Sequence, residues 1–303
     1  LQRGSGDPCF LCGQFVPYRV SGPKQVLLRY PKVRCMPLVT LTSDYGWNDP
    51  DTAVVRGRVY GEMLRSKIAA PIVDISHGIP PRDHMEAGYV LRSAYPHFPK
   101  GSIHLVLVDS MDLSMGKPMA MELDGHFFLG LNHGGLSLIR PDLKPSQLVQ
   151  LDLKNRLELQ EVESLLAAAA AHLLNRGALS MLGPSLSDWQ HLHPPHPEVK
   201  NPETAMVHVQ YIDHFGQLVT NANREWLQTW HGNRPFVALA RGRRVTRHIQ
   251  EAHEIQEAGE LYTRINRFGY LELGVSQPGA NGINTAASLL GMHVHDPIEL
   301  QRK

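Results

Sequence analysis

The sequence predicts an α/β fold in which an N-terminal, mainly parallel sheet covered by helices precedes a smaller antiparallel β-domain. Three observations carry that expectation. Apolar strand-like runs alternate with helix-period stretches from Met36 to Gly177, as in a parallel sheet with crossover helices. "HLHPPHPEVKNPE" (191–203) then interrupts the pattern with prolines and histidines. Beyond it stand only short alternating segments, the pattern of a small antiparallel barrel or sandwich.

Taken in order, residues 38–42 read as a buried strand and residues 51–64 as a helix. Val55, Val59 and Met63 line one face of that helix, and Asp49 or Asp51 is its expected N-cap. "PIVDIS" (71–76) is a second strand. Asp83 starts a second helix, whose apolar stripe is Ala87, Val90, Leu91 and Ala94. "SIHLVLVD" (102–109) is a third strand, and "PMAMEL" and "HFFLGL" form a hairpin about Asp124-Gly125. "ESLLAAAAAHLLNRG" (163–177) is a helix closed by Gly177. In the second domain the strands are "MVHVQYI" (206–212), "FVALA" (236–240), "YTRI" (262–265) and "YLELGV" (270–275). The expected division is an unstructured extension over 1–35, an α/β domain over 36–190, a connector over 191–203 in which no element runs, and a β-domain over 204–303.

Composition narrows the function. A chain of 303 residues buries a full core. Its net charge of +1 argues against a dedicated nucleic-acid or membrane-surface binder. The apolar stretch 165–174 is too short to span a bilayer, and the N-terminus carries no charged start followed by an apolar run, so the expected location is cytoplasmic. Cys9, Cys12 and Cys35 all fall in the extension, and the single "CFLC" has no second pair, so no metal site is expected. "HLHPPHP" lacks the rigidity to fix ligands. "RGRRVTRH" (241–248) reads as a solvated turn, and Trp226 and Trp230 read as packing residues. His77 is expected to brace its loop, and His293 and His295 to alternate along an exposed face of the final strand.

The informative acids sit at strand ends. In an open parallel sheet ligands bind beyond the carboxyl ends of the strands, and there this chain places Asp44 and Asp109, with Asp74 a little earlier in its strand. Carboxylates suit ribose hydroxyls or a cation and repel phosphate. Neither GxGxxG nor a Walker A pattern is present. The expected ligand is nucleoside-like and not a di- or triphosphate, although each of these acids has a capping role as its plain alternative.

"LVTLTSDYGWND", "PIVDISHGIPPRDHMEAGYVLRSAYPHFPKGSIHLVLVD", "FFLGLNHGGLSLI", "YIDHFGQLVTN" and "INRFGYLELGV", in that order, resemble the signature blocks of the S-adenosyl-L-methionine hydroxide adenosyltransferases, relatives of the fluorinase and chlorinase enzymes. The resemblance implies a C-terminal β-barrel, a homotrimer with sites between subunits, and S-adenosylmethionine as substrate without a further cofactor. The implied reaction is displacement of methionine at C5′ of the ribose.

By the same resemblance, Asp44 holds the ribose hydroxyls and Asp49 lies near the methionine end. Asp213 meets the amino group, Phe215 stacks on adenine, and Gln217 stands where the family has Asn. Asn266 opens the block that grips the carboxylate, although Arg267 and Phe268 replace its small residues. Asp109 stands where the hydrolytic branch has Asp and the halogenases have Tyr. A carboxylate there repels halide and accepts a proton from water, so water or hydroxide is the expected nucleophile. The arginines of the following loop are replaced by Gly116 and Lys117, the usual "PDNG" is "LNHG" with Asn132 and His133, and the His expected before the alanine-rich helix is missing from "LELQEVES". Lys117 and His133 are the expected stand-ins beside Asp109. The alternative is a trimer that binds S-adenosylmethionine or adenosine without turning it over, and a halogenase is the least favoured reading.

Overall fold

The computed structural model describes residues 37–111, 114, 116–152, 161–232, 234–248, 258–276 and 283–303. The three cysteines, the 1–35 segment, Glu158 and Gln160 lie outside the described residues.

β1 (Val39–Ser43), α1 (Asp51–Arg65), β2 (Ile72–Ser76), α2 (His84–Ala94) and β3 (Ile103–Leu107) alternate as expected. β4 (Pro118–Leu123) and β5 (His126–Leu131) form the hairpin, and β6 (Gln147–Gln150) and α3 (Val162–Leu174) complete the domain. The hairpin turn Asp124-Gly125 has both φ angles positive, at 51° and 71°, matching the right-handed twist of the strands. Strand order is β2-β1-β3-β5-β4-β6. The first four of these strands run parallel, and β4 is antiparallel to both its neighbours.

Every residue of β1 and β3 is buried because helices cover both faces of the sheet. On one face Val55, Val59 and Met63 of α1 pack with Leu166, Ala167 and Ala170 of α3, whose small side chains admit close approach. On the other, Leu91 of α2 packs with Tyr95, Met121 and Phe128. The chain steps from β1 outward to β2, then returns through α2 to β3 on the opposite side of β1. The carboxyl ends of β1 and β3 therefore flank a topological switch point, where such sheets open a crevice.

The second half consists of β7 (Glu198–Asn201), β8 (Thr204–Ile212), β9 (Leu218–Asn223), α4 (Arg224–His231), β10 (Phe236–Ala240), β11 (Arg243–Val245), β12 (Arg247–His248), β13 (Leu261–Ile265), β14 (Tyr270–Val275), α5 (Ala286–Leu290) and β15 (Pro297–Arg302). The strands run in the order β11-β10-β15-β8-β9-β14-β13-β12. The path begins and ends on strands separated in sequence only by Thr246, so the sheet is nearly a barrel and not a sandwich. Ala205, Val207 and Val209 alternate inward from β8 onto Leu218, Leu271, Leu273 and Ile298. Tyr89 of α2 meets Tyr211 of β8 at 4.9 Å and Tyr270 of β14 at 5.6 Å, which joins the two sheets.

Three local expectations are corrected. β7 runs inside 191–203: Pro197 and Pro202 flank it rather than interrupt it, and among the described residues it pairs only with β8, as an edge strand does. The N-cap of α1 is Pro50, without a side-chain cap, so neither Asp49 nor Asp51 caps it. His293 and His295 precede the final strand, which starts at Pro297. Asp83 does cap α2, its carboxylate accepting the amide of Glu86 at 2.9 Å. Trp226 and Trp230 stack at 5.9 Å with Trp230 buried. No helix among the described residues is long and apolar enough to cross a membrane.

Candidate active site

The switch-point crevice is organised by Asp44. One carboxylate oxygen, Oδ2, accepts two backbone amides from different loops, that of Arg82 at 2.8 Å and that of Asp109 at 3.1 Å. Both donors have left-handed backbones, with φ of 63° and 51°. For non-glycine residues such conformations cost on the order of 1–3 kcal/mol each and persist where the surroundings enforce them. The second oxygen, Oδ1, makes no hydrogen bond among the described residues.

The neighbouring loops are braced from below. Ser43 Oγ and His77 Nδ1 share a hydrogen bond of 2.7 Å, and the amide of Gly46 donates to the His77 carbonyl at 2.9 Å, so His77 braces its loop as expected. Burial, and then Arg56, push the His77 imidazole below its ordinary pKa. Asp74 is held by Arg56 and lies 3.1 Å from His77 Nε2. Tyr45 hydrogen-bonds Ser110 at 3.1 Å and donates to Glu163 at 2.9 Å, and burial raises its hydroxyl pKa strongly.

Asp109 is the centre of the charged group. Its side chain is only 13% exposed, with Arg82 Nε 3.2 Å from Oδ1 and His84 Nε2 3.7 Å from Oδ2. The His84 ring lies 4.4 Å from that of His133. His133 Nε2–H donates to the Val108 carbonyl at 3.1 Å, and its Nδ1 accepts the amide of Gly135 at 3.3 Å. Gly134, at φ 96°, permits this turn. Burial, and then the neighbouring His84, lower the His133 pKa. Burial also lowers that of His84, although Asp109, Asp44 and Asp83 oppose it. Both rings are therefore held neutral near pH 7.

The structure thus brings together Asp44, Asp109 and His133 of the expected residues, but His133 has both ring nitrogens committed. Lys117 is exposed at the mouth of β4, and among the described residues its side chain pairs with no acid. Asn132 Oδ1 accepts the amide of Gln190 at 2.8 Å, which ties down the 190s segment. Asp49 is exposed on the loop after β1. In the barrel, Asp213 Oδ1 accepts the amides of Phe215 and Gln217 at 2.9 and 2.8 Å, presenting Phe215 with 61% of its surface exposed. Gln217 Oε1 accepts the Tyr262 hydroxyl at 2.8 Å. Asn266 is buried and closes the β13–β14 turn by accepting the amides of Phe268 and Tyr270, each at 3.0 Å.

Sequence reasoning missed Arg82 and His84. The available signal was "PPRDH": a cation and an imidazole on either side of a capping Asp, at the carboxyl edge where the acids point.

The chain is similar to known proteins over most of its length. The model of the SAM hydroxide adenosyltransferase N-terminal domain matches residues 39–183, and that of the SAM hydroxide adenosyltransferase C-terminal domain matches residues 207–299. An (R)-S-adenosyl-L-methionine hydrolase of Methanocaldococcus jannaschii is 24% identical over 278 residues, covering 89% of this chain and 98% of that protein. A protein of the same name from Salinispora tropica is 26% identical over 276 residues, covering 87% and 97%. The crystal structure of an uncharacterized conserved protein from Thermotoga maritima shares the fold, with a TM-score of 0.72 and 20% identity over 88% of this chain and 100% of that one.

Proposed function

Because this chain belongs to the SAM hydroxide adenosyltransferase family, we propose that it hydrolyses S-adenosyl-L-methionine to adenosine and L-methionine by attack of water or hydroxide at C5′ of the ribose. The observation that carries this reading is the pair Asp44 and Asp109, joined across the switch point of a chain that matches both family domains in order.

The chemistry asks little of the protein. Sulfur leaves as a neutral thioether, so no general acid and no cofactor is required. The protein must hold the water in line with the C5′–S bond and take its proton as the new C–O bond forms. In this reading Asp109 takes the proton. Asp44, with Oδ2 already committed to amides, offers Oδ1 to the ribose hydroxyls. Asp49 and Asp213 attend the methionine end, and Phe215, with Gln217 beside it, receives the adenine. Lys117, Asn132 and Asn266 recede to supporting parts, since two of them already serve backbone amides.

The reading extends to a cytoplasmic homotrimer whose sites lie between subunits. Its support is that Trp47 and Phe215, 59% and 61% exposed, are large apolar side chains on the two loops named for substrate.

The test is incubation of the purified protein with S-adenosylmethionine, following adenosine and methionine by chromatography beside Asp109→Asn. Equal amounts of both products, lost in the variant, support the reading. Binding without products would turn it to the non-catalytic alternative.

A further inference from the structure

Asp109 has a different neighbour on each carboxylate oxygen. Arg82 Nε at 3.2 Å from Oδ1 is an ion pair. His84 Nε2 at 3.7 Å from Oδ2 is beyond a direct hydrogen bond and near enough for one water to touch both groups. Arg82 is 74% exposed, yet its backbone is held left-handed by the same Asp44 oxygen that holds Asp109. The His84 ring, in turn, rests on His133, which is fixed at both nitrogens.

We propose that Arg82 and His84 complete the water-activating site: Arg82 is a positioning residue that fixes Oδ1 of Asp109, and His84 is a second catalytic residue that holds the attacking water against Oδ2. The proposal rests on the hydrolase reading of this site. With Oδ1 engaged, the carboxylate presents its other oxygen to water. That water donates one hydrogen to Asp109 Oδ2 and the other to the Nε2 lone pair of neutral His84, leaving an oxygen lone pair for C5′. As the C5′–O bond forms, the C5′–S electron pair passes to sulfur and the first hydrogen passes to Asp109 as a proton. The second hydrogen remains on the 5′-hydroxyl of adenosine. The sulfonium charge and the carboxylate charge disappear together.

The charged and titratable groups facing His84 are Asp109, Asp44 and Asp83, with Arg82 across the carboxylate and neutral His133 beside the ring. Protonation of His84 removes the lone pair, so activity falls on the acid side of neutrality.

The experiment measures kcat, KM and pH profile for the wild type, Asp109→Asn, Arg82→Gly, Arg82→Lys, His84→Ala and His84→Gln, with melting temperatures alongside. Glycine suits the left-handed backbone at position 82, so Arg82→Gly keeps its melting temperature while kcat falls about 10- to 100-fold with little change in KM. His84→Ala loses about 100-fold in kcat, and His84→Gln, which cannot titrate, loses the acid limb between roughly pH 5 and 7. Adenosine formation that is abolished by Asp109→Asn but retained within threefold in Arg82→Gly and His84→Ala overturns the inference and leaves the hydrolase reading intact. A His84→Gln profile identical to wild type also overturns the role of His84. A wild type that forms no adenosine overturns both.

Discussion

Asp44 and Asp109, 65 residues apart in sequence, are joined by a 3.1 Å hydrogen bond from the amide of one to the carboxylate of the other. The bond spans the switch point between β1 and β3, so the acid proposed for the ribose also sets the backbone of the acid proposed for water. In the proposed reaction, binding and chemistry are thereby coupled through one side chain.

Removal of the Asp44 carboxylate should therefore damage more than binding. Asp44→Ala strands two amides and two left-handed residues, a loss of about 1–3 kcal/mol in stability. It should lower kcat as well as raise KM for S-adenosylmethionine. Asp44→Asn keeps an acceptor and should recover most of the stability but not the activity. Thermal melts beside steady-state kinetics check this; an Asp44→Ala variant changed only in KM would show that the acid does not support Asp109.

Phe215 supports the opposite expectation. Its ring is exposed and packs into no core, so Phe215→Ala should leave the melting temperature of the isolated chain unchanged and raise KM at least tenfold if the ring stacks on adenine. Titration calorimetry with adenosine reads the same loss directly, and unchanged adenosine affinity would remove Phe215 from the site.

Loss of stability in acid should come from a buried histidine pair within the parallel sheet. His104 and His126 are buried side by side, with His104 Nε2 3.2 Å from His126 Nδ1 and His104 Nδ1 2.7 Å from the Thr40 hydroxyl. Burial, then His126, pushes His104 down to about 3; burial, then Lys100, pushes His126 down to about 4. As pH falls below the ordinary histidine value of about 6.5 the unfolded chain binds protons that the folded chain refuses, so the stability present above that value is lost toward pH 3–4. Melting temperature should fall steadily across this window. His104→Gln should flatten the fall, and an equal slope in that variant would place the acid sensitivity elsewhere.

Glu86 should behave with the opposite sign. Burial, then Asp83, raises its carboxyl to about 7. Folding favours the protonated form, so its contribution is full below the ordinary carboxyl value of about 4.3 and is lost as pH rises through 7. Glu86→Gln should raise the melting temperature more at pH 8 than at pH 5. A uniform shift at both would contradict the assignment.

Much of this was legible in the residues. The apolar runs that end at Asp44 and Asp109 mark strand ends directly, and the order of sequence blocks carries both domains. The partners of Asp109 were not legible, because they depend on strand order. Only when α2 returns the chain to the far side of β1 does the "PPRDH" turn meet the end of β3. Read locally, Asp83 there is a helix cap, and nothing in the residue types announces a left-handed Arg82. Lys117, which the resemblance put where an arginine would fall, stands at the start of β4 beside Asn132, whose amide donates to its carbonyl at 2.8 Å, and its side chain is exposed. Asn266 reads from its signature block as a ligand contact, and its side-chain carbonyl also closes the turn between β13 and β14.

Attack by water at C5′ beside Asp109 leaves the water oxygen in one product, so isotope placement reads it. The protein is incubated with S-adenosylmethionine in water enriched in oxygen-18, and both products are weighed by mass spectrometry. Adenosine should carry one heavy oxygen, at the 5′-hydroxyl, methionine none, and Asp109→Asn should form neither product. Heavy oxygen in methionine, unlabelled adenosine, or a labelled product formed equally well by Asp109→Asn would contradict it.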